Sequence, residues 1–304
     1  MLKQVMMIAG LAIAGGVMAS PAMAEKPSQL FILGDSNVDI GRVSTEASSG
    51  AVNDGLLPPP NTVGGRSSNG TILPEYLVER LEIPQTNFGW GGATSGWANV
   101  VARRGIPDTE RTGTLAQLQE FEAYLDGAPA DPEALYLVFA GSNDLALIEK
   151  NDQAAVDTAI EGAIFNLSII IAKLDELGAE RIVVATRTPR PVLSDMDQPD
   201  LEPVQAAKND AAGRQLNTRI RAMVVAADNT LDADILLFDA YAEIRLMIAE
   251  SGKNGFHPYE DSDAFFCVER EDCTGLINHD VAHKTSAVHE RLADAFISQF
   301  DLDD

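Results

Sequence analysis

Short, nearly continuous apolar runs alternate along this chain with longer stretches in which apolar residues recur every three or four positions. The runs fall at residues 29–33 (QLFIL), 134–140 (ALYLVFA), 181–185 (RIVVA) and 233–238 (ADILLF). A run that is apolar on both faces suits a parallel strand covered by helices on each side. The three-to-four spacing predicts helices over 73–81, 115–125, 154–177, 205–227 and 285–300. The clearest is 154–177, where Ile160, Ala163, Ile164, Leu167, Ile170 and Ile171 step along one side. Pro74 sits where a first helical turn tolerates it. A repeating strand–helix order predicts an α/β protein: a three-layer α/β/α sandwich around a mainly parallel central sheet. Two stretches break the pattern. Residues 44–68 are rich in Gly, Pro, Ser and Asn, and residues 253–278 form a long loop with both cysteines. Long irregular segments in compact domains are usually functional or disordered.

Parallel sheets bind ligands beyond the carboxyl ends of their strands, so the strand ends are where chemistry is sought. The first run ends in Gly34-Asp35-Ser36-Asn37, and the second in Gly141-Ser142-Asn143-Asp144. A short apolar patch precedes Asn87-Phe88-Gly89-Trp90-Gly91-Gly92-Ala93, and Asp280-Val281-Ala282-His283 stands just before the last helix. Taken singly, these are also the residues of ordinary strand-to-loop junctions, turns and caps. Taken together they supply the parts of acyl transfer. Ser36 can attack, His283 can take its proton, and Asp280 can hold the imidazole. Gly91 and Gly92 let backbone approach a reacting carbonyl, and the Asn143 amide can donate to a developing oxyanion. Of the four histidines, His279, His283 and His289 cluster with spacings that raise a metal site. No thiolate accompanies them, and His289 falls on a packing helix, so no metal is assigned. Trp90 and Trp97 flank the second motif and suit either an acyl pocket or the core. Arg66 and Asn69 lie in a Gly/Ser-rich loop that either borders the site or is solvated.

Composition narrows the context. Residues 1–24 carry Lys3, an apolar stretch from Val5 to Met18 and the small-x-small triplet Ala22-Met23-Ala24. That is the pattern of a cleaved export signal, leaving residues 25–304 as one domain exported to the periplasm or the medium. No later run approaches the roughly 20 apolar residues of a membrane span, so no stable span is expected. Cys267 and Cys273, the two cysteines of the chain, are expected to pair in an oxidising compartment and pin one loop. The formal net charge is −24, which disfavours nucleic acid and anionic membrane surfaces as partners. Oligomeric state is left open.

The four motifs carry a resemblance. GDSN at 34–37, NFGWGGAT at 87–94, GSND at 141–144 and DVAH at 280–283 occur in the order found in SGNH hydrolases, the GDSL esterases and lipases. The stretch GGRSSNGTILPEYL at 64–77 is similar to the secreted lipase and phospholipase branch. The resemblance implies a flavodoxin-like SGNH fold and an esterase without metal or organic cofactor. It implies Ser36 as nucleophile, His283 as base and Asp280 as third triad member. It implies an oxyanion hole of the Ser36 and Gly92 backbone amides and the Asn143 side chain. Gly92 rather than Gly91 is chosen because that donor lies five residues beyond the Asn of the second block, here Asn87. The implied substrate is a lipid or other small ester, with lipid and phospholipid acyl esters favoured. An acetyl esterase acting on acetylated carbohydrate and an inactive binding module of the same fold are the alternatives. Three places depart from the family pattern: Asn37 stands where Leu is usual, Asn278-His279 where an aromatic pair commonly precedes the Asp, and Lys284 where Pro is usual.

Overall fold

A computed structural model describes residues 25–44, 63–104, 110–146, 148, 150–190, 203–259 and 266–302. Five strands, β1 (Leu30–Gly34), β2 (Gln85–Asn87), β3 (Leu135–Phe139), β4 (Arg181–Ala185) and β5 (Asp234–Phe238), form one sheet in the order β2-β1-β3-β4-β5. Every pairing is parallel. Among the described residues, these α-helices flank it: α1 (Leu73–Leu81), α2 (Thr114–Leu125), α3 (Gln153–Leu177), α4 (Pro203–Asp228), α5 (Ala240–Ala249) and α6 (Ser286–Phe300).

Alternation within the strands divides the core. Phe31, Leu33, Tyr136, Val138, Ile182 and Val184 pack with α2, α3 and α4. Their neighbours Leu30, Ile32, Leu135, Leu137 and Val183 pack with α1, α5 and α6 on the other face. Successive strand residues point to opposite faces, so a sheet covered on both sides needs the unbroken apolar runs seen in the sequence. The result is the expected three-layer α/β/α sandwich.

Local chemistry sets the helix ends. The Asp152 carboxylate caps α3 by accepting from the Ala155 amide, and Gly178 ends it with φ of 101°. Asp239 caps α5 in the same way through the Ala242 amide. The buried stripe of α3 is Val156, Ile160, Ala163, Leu167, Ile170, Ile171 and Leu174, close to the predicted one. By length and composition α3 is also apolar enough to cross a membrane, although polar and charged residues interrupt its apolar run. Its stripe lies in the core of the sandwich.

Two elements escape the sequence pattern. Strand β2 is three partly exposed residues, QTN, at a sheet edge, too short and polar to show a period. Helix α5 begins directly after β5 and blends into its apolar run. The expected signal segment and most of the irregular stretch at 44–68 lie outside the described residues.

The sheet order places β1 between β2 and β3. Successive connections from β1 therefore run to opposite sides, and a crevice opens at the carboxyl ends of β1 and β3. Ser36 and Asn143 follow those two ends.

Candidate active site

The end of β1 is held tightly. A Cβ on Gly34 would lie 2.4 Å from the Phe139 carbonyl oxygen of β3, so only glycine fits. The Gly34 amide donates to Gln117 Oε1 (2.7 Å), and Gln117 Nε2 donates back to the Gly34 carbonyl (2.9 Å). The Asp35 amide donates to the Phe139 carbonyl (3.1 Å). Ser36 follows, half-buried at the mouth of the crevice.

Asn37 answers for its own departure from the family. Its backbone amide (3.0 Å) and side-chain amide (2.7 Å) both donate to Asp35 Oδ1. Asp35 is fully buried. Burial dominates and raises its carboxyl above the ordinary range, against the Asn37 hydrogen bonds and the charges of His283 and Arg190. A leucine at position 37 has no side-chain donor to offer.

The other arm comes from the far end of the chain. His283 Nε2 lies 2.8 Å from Ser36 Oγ. His283 Nδ1 lies 2.9 and 2.8 Å from the two Asp280 oxygens. Asp280 Oδ1 also accepts from the amides of Ala282 (2.6 Å) and His283 (2.8 Å). Burial pushes the Asp280 carboxyl up. The charge of His283 and these hydrogen bonds outweigh it and hold the group below the ordinary carboxylate range. A carboxylate beside Nδ1 favours the tautomer with a proton there, leaving Nε2 free to accept from Ser36. The structure thus brings together three residues 247 positions apart at the extremes.

The remaining predicted groups line the same crevice. Gly91 donates its amide to Asp39 Oδ2 (2.7 Å). The amides of Gly92 and Ser36 have no hydrogen-bond partner among the described residues. Gly92 has φ of 80°, and a Cβ there would stand 2.5 Å from Asn99 Oδ1, so glycine is required on two counts. Asn143 opens a short 3-10 helix after β3 and donates its side-chain amide to the Ala93 carbonyl (3.0 Å). Asn87 braces the second motif, donating to the Val38 carbonyl (2.8 Å) and accepting from the Gly89 amide (2.8 Å).

Several supporting residues were not legible in advance. Buried Asp39 accepts from the amides of Gly41, Arg42, Val43 and Gly91, tying the first motif to the second. Its spacing after Ser36 carries no signal of that role. Arg190 Nη1 donates to the Val281 carbonyl (3.1 Å) inside the fourth motif. Lys284 is buried and donates to the Pro189 carbonyl (2.9 Å) and Asn278 Oδ1 (2.8 Å). Burial first, then the Arg190 charge, pushes its ammonium down to about 7, with Asp280 opposing and Arg187 adding.

Other residues take structural places. Trp90 is buried with Val43, Ala93 and Val101, so it serves the core. Trp97 is 44% exposed and lines a cleft beside Asn143. Arg66 pairs with Glu75, and Asn69 Oδ1 accepts from the Ser286 amide (2.8 Å) at the start of α6. Cys267 and Cys273 form a disulfide with Cα atoms 4.9 Å apart. His279 and His289 are buried, and burial lowers both rings, His289 to about 3. No group of three or more His, Cys, Asp or Glu side chains is placed to share a metal ion among the described residues.

A cleft of about 510 Å³ adjoins Asn143, with Trp97, Val100, Ile148, Ala159 and Asn166 among its walls. Trp97 also borders a second groove of about 490 Å³, where Leu115, Leu118 and Ile169 share the walls with the charged Glu122, Lys173 and Glu176.

The family model for GDSL-like lipase/acylhydrolase matches residues 30–296. No curated protein sequence matches the chain significantly. Among solved structures, the chain is similar to phospholipase A1 from Streptomyces albidoflavus NA297, at 16% identity and a TM-score of 0.51, covering 90% of this chain and 99% of that one. It is also similar to a catalytic mutant of an acetylxylan esterase from Geobacillus stearothermophilus, at 16% identity and a TM-score of 0.50, covering 90% and 94%. At such identity these structures speak to the shared fold. The family match spans nearly all of the sandwich, and on it the chain belongs to the GDSL-like lipase/acylhydrolase family and is a carboxylic ester hydrolase.

Proposed function

We propose that this chain is an exported serine esterase that cleaves lipid or phospholipid acyl esters through an acyl-enzyme. The observation that carries the reading is the continuous line from Ser36 Oγ through His283 to Asp280, with contacts of 2.8–2.9 Å.

The steps follow from the geometry. Ser36 Oγ attacks the ester carbonyl carbon as its proton passes to His283 Nε2. Asp280, held ionised, stabilises the imidazolium that forms. Negative charge develops on the former carbonyl oxygen. The free amides of Ser36 and Gly92 and the Asn143 side chain are the donors that meet it. Collapse expels the alcohol, which takes the proton from His283. Water then attacks the acyl-Ser36 ester with His283 again as base and releases the acid.

The lipid preference is supported by residues 64–77 and by the apolar walls of the cleft beside Asn143. Trp97 borders both that cleft and the second groove. Export is supported by the pattern of residues 1–24 and by the Cys267–Cys273 pair.

The test is Ser36→Ala assayed on p-nitrophenyl esters from acetyl to long acyl chains. Turnover is expected to vanish, and unchanged turnover would sink the assignment. In the parent, medium or long chains are expected to be preferred; a sharp acetyl preference would move the substrate to acetylated carbohydrate. Fluorophosphonate labelling of Ser36, lost in His283→Ala, separates an enzyme from a binding module. Export is checked by N-terminal sequencing of periplasmic and secreted protein, with Glu25 expected first.

A further inference from the structure

Asp280 and His283 ride on a hairpin whose neck is closed by an antiparallel bridge between Asn278 and Lys284. Two backbone hydrogen bonds flank that bridge. The His279 amide donates to the His283 carbonyl (3.0 Å), and the Thr285 amide donates to the Ile277 carbonyl (3.1 Å). Inside the neck lies the Lys284 side chain, 1% exposed. Its ammonium donates across the neck to Asn278 Oδ1 (2.8 Å) and outward to the Pro189 carbonyl (2.9 Å), on the chain leaving β4.

Both oxygens are neutral. A buried ammonium held by neutral acceptors carries a desolvation penalty that an apolar side chain of similar length avoids. Packing alone therefore does not account for a lysine here. What the ammonium adds is a cross-link at a defined place. It joins the two arms of the hairpin to each other and to the chain leaving β4, one residue from His283. From outside, the Cys267 amide donates to the Asn278 carbonyl (3.0 Å) and the Val268 amide to the His279 carbonyl (2.9 Å). Asn278 is thus gripped by the disulfide segment on its backbone and by Lys284 on its side chain.

We propose that Lys284 is a positioning residue for the base: its ammonium clamps the neck of the 278–284 hairpin to the chain leaving β4 and so holds His283 in reach of Ser36. The inference rests on the reading of Ser36, His283 and Asp280 as the catalytic groups. The clamp touches neither substrate nor reacting atoms. Its effect is on how often Nε2 occupies the productive position, which enters the rate steeply because small displacements of a catalytic group are costly.

The test compares Lys284→Met, Asn278→Ala and the double variant by steady-state kinetics, fluorophosphonate labelling rate and thermal unfolding. Lys284→Met is expected to lower kcat about 10- to 100-fold, with KM within about threefold and labelling slowed in parallel. Asn278→Ala, which keeps the Pro189 contact, is expected to lower kcat by about 3- to 10-fold. The double variant is expected to be no slower than Lys284→Met, because both changes release one clamp. A folded Lys284→Met with parental kcat and labelling rate, a rise in KM alone, or losses that multiply in the double variant would each overturn the proposal. If Lys284→Met does not fold, an Asn278→Ala protein with parental kcat and labelling overturns it equally. Ser36→Ala runs beside them. Turnover persisting there overturns the catalytic reading; loss of turnover there with full-rate Lys284→Met overturns the clamp alone.

Discussion

Ser36 stands just past a central strand, and its surroundings are held by Asn37 on Asp35, by Gly34 against Phe139 of the adjacent strand, and by Gln117 of α2 on both backbone polar groups of Gly34. His283 stands in a hairpin outside the sheet. Chain segments from three other places hold it: Ser68 Oγ on the Lys284 carbonyl (3.0 Å), Pro189 and Arg190 after β4, and the disulfide segment. The two carboxyls beside them differ in the same sense. Asp35 is raised because burial outweighs its two donors, whereas Asp280 is lowered because His283 and two backbone amides outweigh burial. A nucleophile can be placed by the end of a rigid strand. A base that must pair with it and exchange protons needs a charged partner and remote supports, and those supports are where the site is easiest to loosen.

The sharpest break of this comparison is Asp280→Asn. The amide can present a donor to Nδ1 and favour the wrong tautomer while leaving Ser36 in place. A loss of roughly 10³- to 10⁴-fold in kcat is expected, read by ester turnover. Near-parental turnover would remove Asp280 from the machinery.

Next comes acid stability on the base side. Neutral His289 is buried in α6, and its ring is pushed down to about 3. Between about 3 and the ordinary histidine value of 6.5 the unfolded chain binds a proton that the folded chain does not. Stability is therefore present above 6.5 and is lost as pH falls toward 3, by on the order of a few kcal/mol from this group. Urea unfolding across that range should show a shallower pH slope in His289→Gln. An unchanged slope would assign the acid loss elsewhere.

A smaller effect is expected from Cys267→Ser with Cys273→Ser. Opening so short a loop costs roughly 2 kcal/mol in the chain-entropy account and loosens the segment that grips Asn278. Fluorophosphonate labelling should slow several-fold. Equal labelling rates would show that the backbone contacts suffice without the disulfide.

The smallest is Asn37→Leu on the nucleophile side. Removing the side-chain donor to buried Asp35 should cost about 1 kcal/mol in denaturant unfolding and only a few-fold in kcat. A loss as large as that of Asp280→Asn would erase the contrast between the two arms.

Much of the site was legible because its motifs are short, and three of the four follow the ends of strands. Ser36, Asn143, Asp280 and His283 are each embedded in a few contiguous residues whose order along the chain is informative. The family resemblance pointed to Gly92 rather than Gly91; the hydrogen bond of the Gly91 amide to Asp39 is visible only in space. Asp39, Gln117 and Arg190 were silent, since a polar residue carries no mark of which distant backbone group it will meet. Asn278 stood out only for taking part of the place of an aromatic pair. Lys284 was visible only as a departure. Its burial and its two acceptors belong to the folded chain.

The alternation of apolar runs and helical spacing, set by side-chain chemistry and backbone period, was enough to determine a sandwich with a parallel sheet and four strand ends worth watching. Strand order was not, because pairing depends on which edges meet after collapse rather than on any local pattern. That order put Ser36 and Asn143 at the same crevice, and long-range hydrogen bonds then carried a hairpin from the end of the chain to within 2.8 Å of the serine. Local residues determine what each segment can do; packing and the pairing of buried polar groups decide which segments do it together.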